Sequence, residues 1–526
     1  MKNACKKILA LALMSVLLVV FAACQPQTNP EHSSLPVSDG EQSSNEQSGS
    51  SSQEEENSSE QVFEEASDQK TEISSSASET SKPESSKPET SKPETSKPET
   101  SKPETSKPES SKPETSEVTS TLPDQPSGSQ LFTLVKEALP SAGKVYIDVV
   151  GQIGRDDYAS CTIRVEDPSG NFETINDTEA QIKVRGNSTA NGAKKPYNIK
   201  FSKKTEVFGL GKAKKWCLLA NMFDKTLIRN KLVYDMAQVI GVPYTSSSTY
   251  VDVYLNGKLM GCYQFCEAVG TGSTQVDIDT DGMEFLLEFE PWGGYENDYF
   301  LTTKKCGIIL GYEDPEEPTL AQRVWLEDFL AEAETALLAG DYEEICQYWD
   351  VESIVNDYIL HEYFKCVDAT TSSARYFVKE GKIHGGPAWD FDLSSGNADK
   401  EFYKTYYPNG KSYEGWWCRG IWYHLFFRLD WFEEMVKDRF MELQPVIENL
   451  TDDNILGKNR IDSLMATYGD SFKRNFAADG AGWKVYSVDS PFEGPISLTY
   501  EGHIKNLRQW LRDRNEWMKE AWELNE

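Results

Sequence analysis

The chain has 526 residues, a formal net charge of −32 at pH 7 and a hydrophobic fraction of 38%. Such an acidic composition argues against a nucleic-acid-binding protein, which needs a basic surface to neutralise phosphates. The hydrophobic fraction averages two unlike parts of the chain. Residues 25–128 are almost free of aromatic side chains and have a net charge of about −14, whereas residues 129–526 hold nearly all the Trp, Tyr and Phe. This second part is long enough for one large domain or two smaller ones.

The N-terminus predicts an export signal. Three lysines among the first seven residues precede an apolar run from Ile8 to Phe21, which is too short to span a bilayer comfortably. The run ends in Phe-Ala-Ala-Cys, and small residues before a cysteine resemble a bacterial lipobox, in which Cys24 becomes lipidated. Residues 1–24 are therefore predicted to be a lipoprotein signal peptide that leaves the protein anchored on the extracellular face of the cytoplasmic membrane. The alternative is an ordinary signal peptide.

Residues 25–128 are predicted to be a disordered tether. Ser, Glu, Gln and Pro dominate this segment, which lacks the apolar surface needed to offset chain entropy. From Ser81 to Thr115 the pentapeptide Ser-Lys-Pro-Glu-Thr/Ser repeats seven times, and a proline in every repeat stiffens the chain toward polyproline II. We interpret the tether as a spacer that carries the domain through a cell wall. The alternative is that its Ser and Thr residues are modification sites.

The first half of residues 129–526 has the pattern of a strand-rich fold. Asn256-Gly257 is the strongest short hairpin signal in the chain. Asp224 is the predicted N-cap of a helix that runs to Ile240 and is stopped by Gly241. A short helix is predicted over Phe132–Leu139, and strands are predicted over 145–150, 161–165, 181–185, 250–255, 259–265 and 285–289.

After Pro318 the pattern changes to helical apolar spacing. The predicted helices cover 320–338, 351–366, 421–443 and 504–522. A strand-rich half followed by a helix-rich half predicts an α+β fold with two lobes and a cleft between them. Eight cysteines follow Cys24, and this even number is compatible with disulfides outside the cell.

Three aspartates have the spacing of a phosphotransferase site. Asp368 follows a long predicted helix, a short strand covers 375–378, and the stretch Trp-Asp-Phe-Asp then supplies Asp390 and Asp392. In protein-kinase chemistry one Asp accepts the proton of the attacking hydroxyl, and a second one downstream holds Mg²⁺ against the nucleotide phosphates. Carboxylates suit this hard cation. If the stretch is extended, both acids lie on one side and both rings on the other.

Several ordered blocks of the sequence resemble the CotH family, which is named for a spore coat kinase. The blocks are Arg-Gly-Asn-Ser-Thr at 185–189 with Lys-Pro-Tyr at 195–197, Ala-Asn-Met-Phe-Asp at 220–224 with Leu-Ile-Arg-Asn at 227–230, the strand pair at 250–263 with Glu267, the Trp-Asp-Phe-Asp at 389–392, and the C-terminal helix at 504–514. They span roughly residues 180–520, which is nearly all of the part predicted to fold.

The resemblance implies a two-lobed atypical protein-kinase-like fold with a strand-rich N-lobe and a helical C-lobe. It also implies ATP and Mg²⁺ (or Mn²⁺) as cofactors, and protein substrates phosphorylated on Ser or Thr, including Lys/Ser-rich repeats. The repeats of the tether loosely resemble such substrates, which leads to a hypothesis of autophosphorylation. Among the site residues, Asp368 corresponds to the catalytic aspartate, and Asp390 with Asp392 corresponds to the metal-binding pair. The candidates for nucleotide contacts are Lys200, Arg185, Lys195 and Glu267.

One departure from the kinase pattern concerns the second metal ligand. Kinase folds place an Asn about five residues after the catalytic Asp, and the neighbourhood 370–375 has none. Asn397 is a candidate substitute as metal ligand, and Arg375 could add positive charge for phosphate. The alternative function is therefore a non-catalytic kinase-like module that binds or supports structures on the cell surface.

Overall fold

The computed structural model describes residues 137–294, 297–370, 372–398, 411–418, 420–485 and 497–524. The predicted signal peptide, the lipidated Cys24 and the tether lie outside these residues and stay predictions. Most of the predicted helix Phe132–Leu139 also lies outside them, and its described part, residues 137–139, is not helical.

Seven strands form a closed barrel. They are β1 (Gly143–Val149), β2 (Ala159–Glu166), β3 (Ile175–Val184), β4 (Tyr197–Glu206), β5 (Lys212–Leu219), β6 (Ser248–Leu255) and β7 (Lys258–Glu267). Antiparallel neighbours follow the order β1-β2-β3-β4-β5-β7-β6, and a parallel pairing of β1 with β6 closes the barrel. Alternate apolar residues such as Ile147, Ile182 and Ile199 fill the interior, because successive side chains of a strand point to opposite faces.

A second, five-stranded sheet lies outside the barrel. Its strands are β8 (Phe285–Phe289), β9 (Phe300–Thr302), β10 (Ile309–Asp314), β11 (Arg375–Lys379) and β12 (Lys382–Gly385), in the order β12-β11-β8-β10-β9. The sheet therefore combines strands from before and after a run of three helices in the sequence. Its β11–β12 hairpin leads directly to the Trp-Asp-Phe-Asp stretch.

The helices pack around a larger apolar core that the second sheet shares. They are α1 (Arg229–Ile240), α2 (Leu320–Ala339), α3 (Tyr342–Tyr348), α4 (Val351–Phe364), α5 (Tyr423–Phe426), α6 (Asp430–Glu442), α7 (Gln444–Glu448), α8 (Arg460–Phe476) and α9 (Tyr500–Ala521). Nearly every residue of α4 is buried, so this helix lies at the centre of the core. Within the described ranges, no helix is both long and apolar enough to cross a membrane.

The α+β class is confirmed, but the sequence did not predict the closed barrel or the α8 helix. The Asn256-Gly257 hairpin is confirmed, with Asn256 at φ 47°. The predicted helix start at Asp224 is wrong: α1 begins at Arg229, because the chain first makes a turn in which Asp224 Oδ2 accepts a hydrogen bond from the Arg229 amide (2.9 Å). The predicted helix 421–443 is two helices, α5 and α6.

The eight cysteines beyond Cys24 are all described, and all are free thiols. They are Cys161, Cys217, Cys262, Cys266, Cys306, Cys346, Cys366 and Cys418. The disulfides that their even number would allow are therefore not formed in this structure. The described fold is held by its apolar cores rather than by covalent bridges.

Candidate functional site

The central helix α4 delivers Asp368 to the candidate site. A 3₁₀ turn, Val367–Thr370, follows the helix and contains Asp368, whose side chain is partly exposed. The Asp368 carbonyl accepts a hydrogen bond from the Ser372 amide (2.8 Å), and the Val367 amide donates to the Leu393 carbonyl (3.2 Å). The turn is thus tied directly to the segment that contains the other two predicted acids.

That segment, residues 389–397, is called the acid loop below. Two buried rings fix its beginning: Trp389 stacks on Tyr234 of α1 (centroids 6.0 Å apart), and Phe391 stacks on His361 of α4 (4.8 Å). Asp390 is the residue between Trp389 and Phe391 in the sequence, and its backbone has φ 64°, in the left-handed region. The stretch is therefore not extended, and the expected strand-like separation of acids and rings does not apply. The rings still anchor the loop in the core while Asp390 stays partly exposed.

The acids of the site converge on Asp392, which is only 6% exposed. Burial raises the pKa of Asp392 well above its usual range, and the charges of Asp390, Asp368 and Asp224 raise it further, while Arg185 lowers it. None of the residues that the structure describes donates a hydrogen bond to the Asp392 carboxylate. Since a buried carboxylate without a hydrogen-bond donor is costly, and the charge of Arg185 does not outweigh burial and the neighbouring acids, a cation would stabilise this position.

Among the described residues, the candidate donors form a pair of carboxylates rather than a complete metal cage. In the described part of the chain, no group of three or more His, Cys, Asp or Glu side chains is arranged to hold a metal ion. Mg²⁺ in phosphotransferases usually has one or two carboxylate ligands and completes its shell with water and substrate phosphates. Asp390 and Asp392 supply such a pair, so their arrangement suits a nucleotide-bound ion better than a dedicated protein cage.

Arg185 is the predicted cation that reaches the acids. It follows β3 directly, and its guanidinium lies over the Trp389 ring, 5.1 Å from the centroid. Lys200 lies on the outer face of β4, where its Nζ is 5.7 Å from the centre of the Tyr158 ring. Lys200 forms no ion pair with a described carboxylate. Arg185 is therefore placed beside the acids, whereas Lys200 is placed further along the outside of the barrel.

The other predicted site residues, Lys195, Glu267 and Asn397, form hydrogen bonds that hold nearby loops in place. Lys195 Nζ donates to the Ala190 carbonyl (2.6 Å), which holds the loop after β3. The Glu267 carboxylate accepts a hydrogen bond from Thr274 (3.0 Å), and burial raises its pKa. Asn397 Nδ2 donates to the Asp392 carbonyl (2.6 Å) and thereby holds the acid loop. These contacts do not bring Lys195 or Glu267 to the three acids.

The start of α1 positions the acid loop, a role that the sequence did not reveal. Arg229 Nη1 donates to Asp224 Oδ1 (2.5 Å), and its Nε donates to the Ser394 carbonyl (3.0 Å). Asn230 Oδ1 accepts a hydrogen bond from the Phe391 amide (2.7 Å). The two α1 residues thus hold the backbone on both sides of Asp392. The block at 220–230 carries part of the family resemblance, but nothing in its sequence pattern indicates which segment it contacts.

Replacing Arg229 with methionine is expected to lower the free energy of unfolding by about 3–5 kcal/mol, because Asp224, which is fully buried, would lose its counter-charge. Urea denaturation measures this change. The double variant Arg229→Met, Asp224→Asn is the matched control and should recover part of the loss. A single variant within roughly 1 kcal/mol of wild type would contradict the assigned role, since exposed pairs contribute no more than that.

Comparison with protein families gives one match. The model of a family described as CotH kinase protein matches residues 182–518, which is more than half of the chain. The matched stretch runs from β3 to α9 and contains Arg185, the start of α1, Asp368 and the acid loop. Among curated proteins no significant match is found.

Proposed function

Because the chain belongs to the CotH kinase family, we propose that its folded part is an ATP-dependent protein kinase that phosphorylates Ser or Thr. In this proposal the barrel acts as the N-terminal lobe, and the helices with the second sheet act as the C-terminal lobe, of an atypical kinase fold. One observation supports it most: the turn with Asp368, the acid loop with Asp390 and Asp392, and Arg185 after β3 come together from three separate segments of the chain.

Each of these residues has a role in phosphoryl transfer. Asp390 and Asp392 would hold Mg²⁺ or Mn²⁺, which neutralises charge on the β- and γ-phosphates when bound. Arg185 would pair with phosphate oxygens. Lys200, which lies beside Tyr158 on the outer face of β4, is not assigned a phosphate contact. Asp368 would accept the proton of the acceptor hydroxyl while the hydroxyl oxygen attacks the γ-phosphorus and ADP leaves.

The proposed place of action and the proposed acceptor are supported by sequence patterns. Lipidation of Cys24 would anchor the chain to the outer face of the cytoplasmic membrane, and residues 25–128 would act as its tether. The acceptor would be a protein with Ser or Thr, and Lys/Ser-rich repeats are the favoured class because an acidic domain attracts basic segments.

The purified full chain is expected to transfer the γ-phosphoryl group of ATP to a Lys/Ser-rich peptide in the presence of Mg²⁺ or Mn²⁺. Radiolabel incorporation measures this transfer. Thermal unfolding measures binding separately: ATP and metal together should raise the unfolding midpoint, since ligand at 100 times Kd stabilises by about 2.7 kcal/mol.

The two readouts separate the kinase from the alternative surface module. A raised midpoint without label in any acceptor would indicate a kinase-like protein that binds nucleotide but does not turn it over. Neither transfer nor a change in midpoint with either metal would contradict the proposal as a whole, and would favour a binding or structural role.

A further inference from the structure

A serine occupies the position at which the kinase pattern has an asparagine. Ser373 is in the turn between Asp368 and β11 and is only 9% exposed. Its hydroxyl donates a hydrogen bond to Asp390 Oδ2 (3.4 Å). The turn is fixed on both sides, because the Ser372 amide donates to the Asp368 carbonyl and Arg375 Nη1 donates to the Ser373 carbonyl (3.1 Å). The Ser373 oxygen is therefore held against the acid pair.

The neighbouring arginine has a structural role. Arg375 forms ion pairs with Glu313 (2.7 Å) and Glu288 (3.3 Å), so its charge is already balanced by two carboxylates. This placement argues against the earlier idea that Arg375 contacts phosphate. Through its bond to the Ser373 carbonyl, Arg375 instead supports the backbone of Ser373, which has φ 62°.

We propose that the Ser373 hydroxyl supplies a neutral oxygen ligand to the divalent cation bound by Asp390 and Asp392. This inference rests on the proposed function. The kinase fold obtains its second ligand from an Asn about five residues after the catalytic Asp, and here Ser373 is five residues after Asp368 and its hydroxyl contacts Asp390. Hydroxyl oxygens also bind Mg²⁺ in P-loop enzymes.

Two observations support a position of the hydroxyl beside the proposed cation. The 3.4 Å between the Ser373 and Asp390 oxygens is near the roughly 3 Å that separates adjacent oxygens around an octahedral Mg²⁺. Asp392, two residues after Asp390 in the acid loop, is nine-tenths buried and accepts no hydrogen bond from a described residue, so its carboxylate is available to a cation at the same place. A third oxygen beside such a pair extends the ligand set without adding a further negative charge.

The left-handed backbone of Ser373 allows a clean set of variants. Glycine and asparagine both tolerate φ near 60° better than other residues. Ser373→Gly removes the hydroxyl without adding backbone strain, and Ser373→Asn replaces the hydroxyl with an amide oxygen. Ser372→Ala is the matched control, because the Ser372 side chain forms no hydrogen bond with a described residue.

Calorimetric titration of the full chain with Mn²⁺, in the presence of a non-hydrolysable ATP analogue, tests the inference. Ser373→Gly is expected to raise the Kd for Mn²⁺ roughly tenfold, within the range seen when a group that supports a metal is lost. Ser373→Asn and Ser372→Ala should bind Mn²⁺ like wild type. The metal-free unfolding midpoint of Ser373→Gly should equal or exceed that of wild type.

Each other result overturns the inference in a distinguishable way. Wild-type affinity in Ser373→Gly would remove Ser373 from the metal site and leave the kinase proposal intact. Weak binding by Ser373→Gly and Ser373→Asn alike, with lowered midpoints, would show that the serine only supports the turn. Absence of Mn²⁺ binding by the wild-type chain would overturn both this inference and the proposed function.

Discussion

Replacing Asp368 with asparagine is expected to lower the rate of phosphoryl transfer by roughly 10²–10⁴-fold, the contribution typical of a positioned general base. The amide cannot accept the hydroxyl proton, but it leaves the metal-binding pair in place. Binding of Mn²⁺ and ATP, measured by the rise in unfolding midpoint, should therefore stay close to wild type. Asp390→Asn should instead lose both the transfer and the rise in midpoint, because it removes a charged metal ligand.

The control for this pair of variants is Asp438→Asn. Asp438 is exposed on α6, and neither the site nor its supports involve it. If Asp368→Asn and Asp438→Asn transfer phosphate equally well, Asp368 is not the base. If Asp390→Asn retains the full rise in midpoint with Mn²⁺ and ATP, the metal is held elsewhere. The two acids thus have different predicted signatures, and an unfolding midpoint close to wild type without ligand separates the Asp390→Asn signature from a general loss of folding.

The sequence predicts the helices and strands whose formation depends on residues close together in the chain. The α2 and α4 helices follow from apolar spacing, and the β6–β7 hairpin follows from Asn256-Gly257, whose residues tolerate the left-handed backbone of the turn. The β4 and β5 strands were missed because their outer faces are polar and rich in lysine, which weakens the strand signal. Closure of the barrel depends on pairing β1 with β6, about a hundred residues apart in sequence, and no local pattern encodes that pairing.

The residues of the candidate site likewise fall into those that the sequence predicts and those that it does not. Asp368, Asp390 and Asp392 could be predicted because chemistry needs carboxylates in that order, and the motif around them is compact. The role of Arg229 could not be predicted, since its partner Ser394 lies 165 residues away in the sequence. Its contribution to stability also depends on the burial of its ion pair with Asp224. Ser373 was likewise hidden, because a serine in a loop has many ordinary explanations until its hydroxyl is seen to meet Asp390.

Replacing Asp392 with asparagine is expected to stabilise the metal-free protein at pH 7 by roughly 1–3 kcal/mol, because the neutral amide removes a buried negative charge that has no hydrogen-bond donor. The pKa of Asp392 is raised in the folded state by burial and by the acids around it. The folded state therefore binds a proton more tightly than the unfolded state. Protonated Asp392 therefore contributes to the stability of the fold. This contribution is complete at pH values below the unfolded pKa near 3.8, and it is lost as pH rises through the raised pKa of the folded state.

Urea denaturation at several pH values, without metal, tests this expectation. The stability advantage of Asp392→Asn over wild type should be largest at neutral pH and should shrink as pH falls, because wild-type Asp392 then becomes neutral as well.

Asp167→Asn is a control of opposite sign. Burial raises the pKa of Asp167, but hydrogen bonds from Ser169, Asn171 and Phe172 outweigh burial and lower that pKa. Loss of the Asp167 carboxylate should therefore destabilise the protein at neutral pH. With Mn²⁺ and ATP added, wild type should gain stability and Asp392→Asn should not. A variant that is less stable than wild type at pH 7 without metal would show that Asp392 supports the fold, whereas the expected result would show that the fold tolerates a cost in order to keep a cation site.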